Sequence, residues 1–238
     1  MNPPISRLQR IVALLALLAA ASCDSGDIRS SGSASAEGIA VRGTFELLNT
    51  EAFPSEYDLV FGVFGSDATS ALSSVNALRP ADGAPLQLSI DNVPDEAASV
   101  RLCLTNSGRR VVYTFFEYAL DADRSQDIDL PAAQIDLLEY DRIQHLVFQQ
   151  YNCTSCHQGA SGASGLMLTE GASYGALVNA PSVHSDKLRA APYDPDGSFL
   201  LDVLTREDAV GYPHTGLVTR SEDRDLLRIW IEKGCPQN

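Results

Sequence analysis

Lysine, cysteine and long hydrophobic runs are all scarce in this chain of 238 residues. Lys187 and Lys233 are its two lysines. A docking surface surrounded by a ring of lysine side chains is therefore excluded. The 31 acidic residues outnumber the 17 basic ones, which argues against nucleic acid and against direct adsorption to anionic lipid. The five cysteines include one closely spaced pair, which excludes a structural zinc site built from two matching pairs. No internal repeat is present, so a repeat architecture is excluded too.

The main apolar run lies at the N-terminus and has the layout of an export signal. Arg7 and Arg10 precede "IVALLALLAAAS", which is too short to span a bilayer as a retained anchor. The next residue completes "AAASC", which resembles the lipobox of bacterial lipoproteins. We expect residues 1–22 to be a lipoprotein signal peptide and Cys23 to be lipidated, with ordinary signal cleavage as the alternative. The mature protein would then lie in the bacterial cell envelope, on the periplasmic side of the outer or inner membrane.

The remainder divides into three segments by composition and hydrophobic period. Residues 23–38 are rich in serine and glycine and predict a flexible tether. Residues 39–135 show period-two patterns separated by turn-rich pieces, as in "VRGTFEL", "SVRLCLT" and "RVVYTFFEY". About six such strands predict an antiparallel, Ig-like β-sandwich.

After Pro131 the period becomes helical. The segment "DLLEYDRIQHLVFQQYN" predicts a helix that runs into Cys153, and "SEDRDLLRIWIEKG" predicts a terminal helix with Ser221 as N-cap and Gly234 as its end. We therefore predict an α+β protein of two domains, with an all-α domain over residues 136–238.

The central motif is Cys153-Thr154-Ser155-Cys156-His157. Cys-x-x-Cys-His is the attachment sequence for c-type haem. Two cysteines three residues apart stand on one side of a turn, where their sulfurs reach the two vinyl groups of one porphyrin, and the histidine is aimed at the iron. A redox Cys-x-x-Cys would need a βαβ context, which does not precede it, and a disulfide across two residues is strained. The motif thus predicts one covalent haem c, held by Cys153, Cys156 and His157.

Residues 140–235 resemble a single-haem class I cytochrome c domain, in particular the cytochrome c-like domains of secreted bacterial proteins. Besides the motif, the segments that carry this resemblance are "GLML" (165–168), "YGALV" (174–178), "DPDGSFL" (194–200) and "WIEKG" (230–234). The resemblance implies an all-α cytochrome c fold, electron transfer and redox protein partners. It covers about two-fifths of the chain and leaves the β part out.

The sequence departs from this family at the sixth iron ligand. The family places a Met-Pro loop before the terminal helix, whereas this chain has Tyr212-Pro213. His214 lies in the same loop and is our first candidate, because imidazole binds iron strongly. Met167 and Tyr212, as a phenolate, are the alternatives. His184 and an open position complete the set, while His145 is read as a surface residue.

Two cysteines remain after these assignments. Cys103 is in phase with the strand face that points away from the sandwich core, and Cys235 follows the terminal helix. In an oxidising compartment a disulfide between them would join the two domains, and two free thiols are the alternative.

These features favour an anchored single-electron carrier over an enzyme. The competing hypotheses are a β-sandwich that binds a partner or ligand and has an accessory haem domain, and a haem peroxidase or sensor. The last of these requires an open sixth position on the iron.

Overall fold

The structure is a computed structural model, and it describes residues 38–81, 83–159 and 163–238. The predicted signal peptide, the lipidation site Cys23 and the tether up to residue 37 lie outside the described residues. Gly38–Asn238 form one compact unit. The predicted domain boundary, between residues 135 and 136, falls within this unit.

Eight strands are present in the described part of the chain. They are β1 (Val41–Leu48), β2 (Asp58–Phe64), β3 (Ser73–Asn76), β4 (Leu86–Ile90), β5 (Ser99–Thr105), β6 (Val111–Ala119), β7 (Ile128–Asp129) and β8 (Ala133–Asp136).

The strands form two four-stranded sheets. One has the order β3-β2-β5-β6 and is antiparallel throughout. The other has the order β4-β1-β7, with β8 also paired to β1. In this second sheet β4 is antiparallel to β1, whereas β7 and β8 run parallel to it. The sheet is therefore mixed, which the prediction of an antiparallel sandwich missed.

The two sheets pack through aromatic side chains. Val41, Phe45 and Leu47 alternate along β1 and are buried, as the period of two predicts. The Phe45 ring makes edge contacts with Phe61 of β2, at 5.7 Å between ring centres, and with Phe116 of β6, at 5.4 Å. These contacts fix the two sheets face to face.

The helices that follow are short. They are α1 (Tyr140–Ile143), which continues as a π-helical turn (Gln144–Gln149), α2 (Ser173–Leu177), α3 (Phe199–Thr205) and α4 (Ser221–Glu232), with 3₁₀ turns at Thr50–Ala52, Cys153–Ser155 and Ala163–Gly165.

The predicted fold class, with an all-α cytochrome c fold in the C-terminal part, is wrong. The described residues are mostly β and irregular, and the four α-helices are 4, 5, 7 and 12 residues long. Between α2 and α3 the backbone instead forms isolated bridges, which pair Val178 with Ala190 and Pro181 with Leu188. Proline lacks the N–H that a helix interior needs, so Pro181 and Pro192 limit helix length here.

The longest helix, α4, receives its N-terminal cap from a distant loop. Ser221 is the first helical residue rather than the predicted N-cap. Glu56 accepts hydrogen bonds from the Ser221 hydroxyl at 2.5 Å and from the Glu222 N–H at 3.2 Å. These bonds lower the pKa of Glu56. The cap therefore binds α4 to the loop before β2.

Gly234 follows the C-cap residue Lys233 of α4 and has φ at +88°. Residues other than glycine rarely adopt this backbone conformation. An added Cβ would also collide with the ring of Tyr193. We expect Gly234→Ala to lower the free energy of unfolding by about 2 kcal/mol, since the backbone penalty alone is about 1 kcal/mol. Urea unfolding followed by circular dichroism measures this change.

The matched control is Gly175→Ala. Gly175 lies in α2, has an ordinary φ and has open space around its Cα. This substitution should be neutral or stabilising by about 0.5–1 kcal/mol. Equal effects of the two substitutions would show that neither the positive φ of Gly234 nor the ring of Tyr193 disfavours a side chain there.

Candidate functional site

The Cys-x-x-Cys-His motif folds as one tight turn directly after the π-helical turn. Asn152 adopts a left-handed conformation, with φ at 58°, and lets the chain reverse. The N–H groups of Cys156 and His157 then both donate to the carbonyl of Cys153, at 3.3 and 3.1 Å. The motif is therefore held by its own backbone, with Cys153 partly buried and Cys156 exposed as free thiols.

A cavity of about 650 Å³ lies against this turn, within the range of about 300–1,000 Å³ typical of ligand and cofactor pockets. We refer to it as the C-terminal cavity. Its apolar wall is formed by Val147, Phe148, Leu166, Leu168, Leu177, Phe199, Leu200, Val203, Leu204, Val210, Leu217 and Val218. Cys153, Cys156 and His157 also line it. The Cys-x-x-Cys-His motif therefore forms part of the wall of the C-terminal cavity, which is otherwise mainly apolar.

Two imidazole rings approach each other in this cavity. The ring centres of His157 and His214 are 6.2 Å apart, and the ring planes differ by 31°. The Nδ1 atom of His157 is 3.1 Å from the carbonyl oxygen of Ala163, and that of His214 is 2.7 Å from the carbonyl oxygen of Tyr212. Because a carbonyl oxygen can only accept, Nδ1 is the donor in each of these contacts, which leaves Nε2 as the ring atom that a metal ion could bind.

This arrangement has the features of a metal-binding histidine pair. Histidine ligands ordinarily donate their other ring N–H to a carbonyl or carboxylate, which fixes the tautomer. Since imidazole nitrogens bind metal ions at about 2 Å, two rings that hold one ion from opposite sides have centres about 6 Å apart. Burial lowers the pKa of His157, and His214 lowers it further, which favours the neutral form that binds metals.

The residues fit a haem better than a bare metal ion. Within residues 38–81, 83–159 and 163–238, no group of three or more His, Cys, Asp and Glu side chains is placed to hold an ion. A porphyrin supplies four nitrogens itself and needs only axial ligands from the protein. The apolar chamber beside His157 and His214 suits its flat hydrophobic ring.

The Cys153 thiol does not have the property that a redox-active cysteine needs. Burial raises the pKa of Cys153, so its sulfur is a protonated thiol near neutral pH. A catalytic Cys-x-x-Cys needs a thiolate. Cys153 therefore suits covalent attachment better than thiol exchange.

The other candidate ligands lie in different surroundings. Met167 pairs with Gln158 in an isolated β-bridge, whereas its neighbours Leu166 and Leu168 line the cavity. Tyr212 lines the cavity but its side chain is 67% exposed.

The two remaining histidines also differ from His214. The ring of His184 lines the cavity and stacks on Phe199, at 6.5 Å between ring centres. His145 lies apart from the cavity wall, with its Nδ1 2.9 Å from the carbonyl oxygen of Asp141. Of the predicted candidates, the structure brings His214 to the ring of His157.

A buried ionic cluster adjoins the cavity, and sequence reasoning missed it. Arg142 is fully buried and forms a 3.1 Å ion pair with Glu222. Asp223 is also fully buried, and its Oδ2 accepts hydrogen bonds from Tyr151 at 2.6 Å and from Tyr57 at 3.3 Å. Tyr151 lines the cavity as well. In the sequence, Glu222 and Asp223 are indistinguishable from first-turn acids that favour any helix N-terminus.

Asp223 is the unusual member of this cluster. Its Oδ1 is buried without a hydrogen-bond partner among the described residues. Burial and the charge of Glu222 raise the pKa of Asp223 from 3.8 to about 6, against the opposing effects of Tyr151, Tyr57 and Arg142.

Cys103 and Cys235 are both free and buried, so the disulfide predicted between them is not formed in the structure. Cys103 packs with Val60 and Phe64 on the outer face of its sheet, as its phase predicts, and Cys235 belongs to the main core. Burial raises the pKa of both thiols to about 12.

Comparison of the chain with protein-family models, with curated proteins and with solved structures gave no match. The resemblance to class I cytochromes c therefore rests on the motifs alone. In the described part of the chain, no helix is both long enough and apolar enough to cross a membrane.

The raised pKa of Asp223 predicts a pH-dependent stability. The folded protein holds the proton up to about pH 6, whereas the unfolded chain releases it near pH 3.8. The contribution of Asp223 to stability is therefore greatest below pH 4 and falls as the pH rises to about 6, by about 3 kcal/mol in total. Asp223→Asn should remove this loss, as measured by urea unfolding between pH 4 and 7.

Asp225→Asn is the matched control, because Asp225 is exposed on the same helix and its replacement changes the charge equally. Its pH profile should follow that of the wild type. Parallel profiles for the wild type and Asp223→Asn would show that Asp223 does not titrate in this range.

Proposed function

We propose that this protein is a c-type haem protein that carries single electrons. One haem would occupy the C-terminal cavity, with its vinyl groups bonded to Cys153 and Cys156. His157 and His214 would be its axial ligands. The observation that carries this proposal is the pair of imidazoles beside the Cys-x-x-Cys turn, with ring centres 6.2 Å apart and with each Nδ1 next to a backbone carbonyl.

The surrounding residues have distinct roles in this proposal. A bound haem supplies the one-electron chemistry of its iron. The apolar wall excludes water from the porphyrin faces, and the turn at Cys153–Ser155 holds both sulfurs at one edge. Arg189 is the positively charged side chain among the described cavity residues, and its charge would offset that of the haem propionates.

Two axial histidines favour an electron carrier over a peroxidase or sensor. An enzyme or sensor of small ligands needs an open iron position. His214 would fill that position through its Nε2, because its Nδ1 lies 2.7 Å from the carbonyl oxygen of Tyr212. Bis-histidine ligation also implies a lower reduction potential than His-Met ligation.

We further propose that the protein works in the bacterial cell envelope, on the periplasmic side, with a lipid on Cys23. The support is the signal-like segment before Cys23 and the covalent haem motif, which suits an exported protein. The acidic composition favours redox protein partners with basic docking surfaces, since opposite potentials steer association.

The ligand set predicts a definite spectrum. The protein, purified from bacteria that attach c-type haem, should show six-coordinate, low-spin iron in both oxidation states. His214→Ala should convert it to a high-spin form that binds carbon monoxide readily. Visible absorption and electron paramagnetic resonance measure this change.

His184→Ala is the control, because His184 also lines the cavity but stacks on Phe199 instead of facing His157. It should leave the spectrum low-spin. An unchanged spectrum for His214→Ala would reject His214 as the ligand.

Attachment through two thioethers makes a separate prediction. The wild-type protein should keep its pigment on a denaturing gel and in acid acetone, and replacement of both Cys153 and Cys156 by alanine should abolish this retention. Cys235→Ala, which removes a thiol outside the motif, should retain the pigment. A wild-type protein that is colourless or loses its haem to acid acetone would contradict the proposed function.

A further inference from the structure

The buried carboxylate of Asp223 lies one hydrogen bond from the wall of the C-terminal cavity. Tyr151 lines the cavity with its side chain and donates its hydroxyl to the Oδ2 of Asp223 at 2.6 Å. Asp223 itself is fully buried. A charge placed in the cavity therefore acts on this carboxylate through protein and with little screening by solvent.

Asp223 is also the member of the cluster that is least stabilised as an anion. Glu222 has both oxygens engaged: Oε1 with Arg142 at 3.1 Å, and Oε2 with the N–H of Ser55 at 2.9 Å and with that of Glu56. In contrast, Oδ1 of Asp223 has no partner among the described residues. A proton on Oδ1 would remove a buried charge without breaking the bonds that Oδ2 accepts.

The groups that surround Asp223 come from each element packed against it. They are Glu222 of α4, Arg142 of α1, Tyr151 after the π-helical turn and Tyr57 of the loop before β2. Arg220 and Glu56 lie one residue farther out, against Tyr151 and Tyr57 and against Glu222 respectively. Arg142 is already paired with Glu222. The charge of Asp223 is therefore only partly compensated.

We propose that Asp223 is a redox-linked proton site, which gains a proton when the haem in the C-terminal cavity gains an electron. This inference rests on the proposed function. One electron arrives from a reduced one-electron donor, such as a redox protein, and one proton from solvent forms an O–H bond on Oδ1 of Asp223. Reoxidation releases both. The added negative charge in the cavity makes the buried carboxylate less favourable, which is why the two events are coupled.

The sign of the coupling follows from these charges. Reduction raises the proton affinity of Asp223, so the reduction potential is highest at low pH, where the group is protonated in both states. The potential falls as the pH rises through the interval between the pKa of Asp223 in the oxidised protein and its pKa in the reduced protein. Above this interval the potential is constant. The pKa of Asp223 in the structure is about 6, so we expect the interval to lie near that pH.

The test is a spectroelectrochemical titration of the full haem-loaded protein from pH 4 to 8. For the wild type, the potential should fall by up to about 59 mV per pH unit within the interval. This slope arises because each tenfold fall in proton concentration lowers the equilibrium constant for one-electron reduction by up to tenfold. Asp223→Asn should give a pH-independent potential near the low-pH value of the wild type. Asp225→Asn should behave as the wild type.

Tyr151→Phe gives a second test that keeps the ring in the cavity wall. It removes the hydrogen bond that stabilises the charged carboxylate, so the pH-dependent interval should move to higher pH. Tyr57→Phe, which removes the longer bond from a residue outside the cavity wall, should move it less. If Asp223→Asn does not fold, this pair of variants still decides the proposal, because an unmoved interval in Tyr151→Phe contradicts it.

The failures of this inference and of the proposed function are distinguishable. A haem-containing protein with a flat potential, or with an unchanged slope in Asp223→Asn, overturns the proton link alone. A protein that binds no haem overturns both. A carbonyl band of a protonated carboxylic acid in the reduced-minus-oxidised infrared spectrum, absent in Asp223→Asn, would support the assignment without any measurement of activity.

Discussion

The buried ion pair between Arg142 and Glu222 is the constraint on which the arrangement of this protein depends. Arg142 also donates to the carbonyls of Ala52 and Leu137, and Glu222 accepts from the backbone of Ser55. Two separate segments, residues 52–55 and 137–142, are thereby fixed to the start of α4. An unpaired charge at this depth would cost about 3–5 kcal/mol. Because this pair fixes the start of α4, it also limits the course of the preceding loop, which contains His214.

Much of the β part was predictable because a strand buried on one face repeats every two residues. Val41, Phe45 and Leu47 show this in β1. The parallel pairing of β7 and β8 with β1 was not predictable, since it depends on how the chain returns after β6 and not on local pattern. The all-α expectation failed for a related reason. Motifs such as "YGALV" specify single turns, whereas the bridges around Leu188 are set by tertiary contacts.

For the candidate site, the turn at Cys153–Ser155 follows from local sequence, whereas the surroundings do not. The spacing of Cys153, Cys156 and His157 is local, so one turn of backbone determines it. His214 could be proposed because it occupies the loop where a ligand was expected, but its distance from His157 required the fold. The cluster around Asp223 joins residues up to 166 positions apart, and no local period marks such a site. The carrier hypothesis accounts for the cavity, whereas nothing in the described residues assigns a ligand to the sheets.

The cap that Glu56 provides for α4 has a consequence for the order of events during biosynthesis. Ser221 finds this partner 165 residues earlier in the chain, and Ser55 bonds to Glu222 across 167 residues. Contacts of such long sequence separation form late and slowly. The loop before β2 can therefore acquire these two contacts only after the last helix has been synthesised, whereas β2, β3, β5 and β6 pair among themselves within residues 58–119.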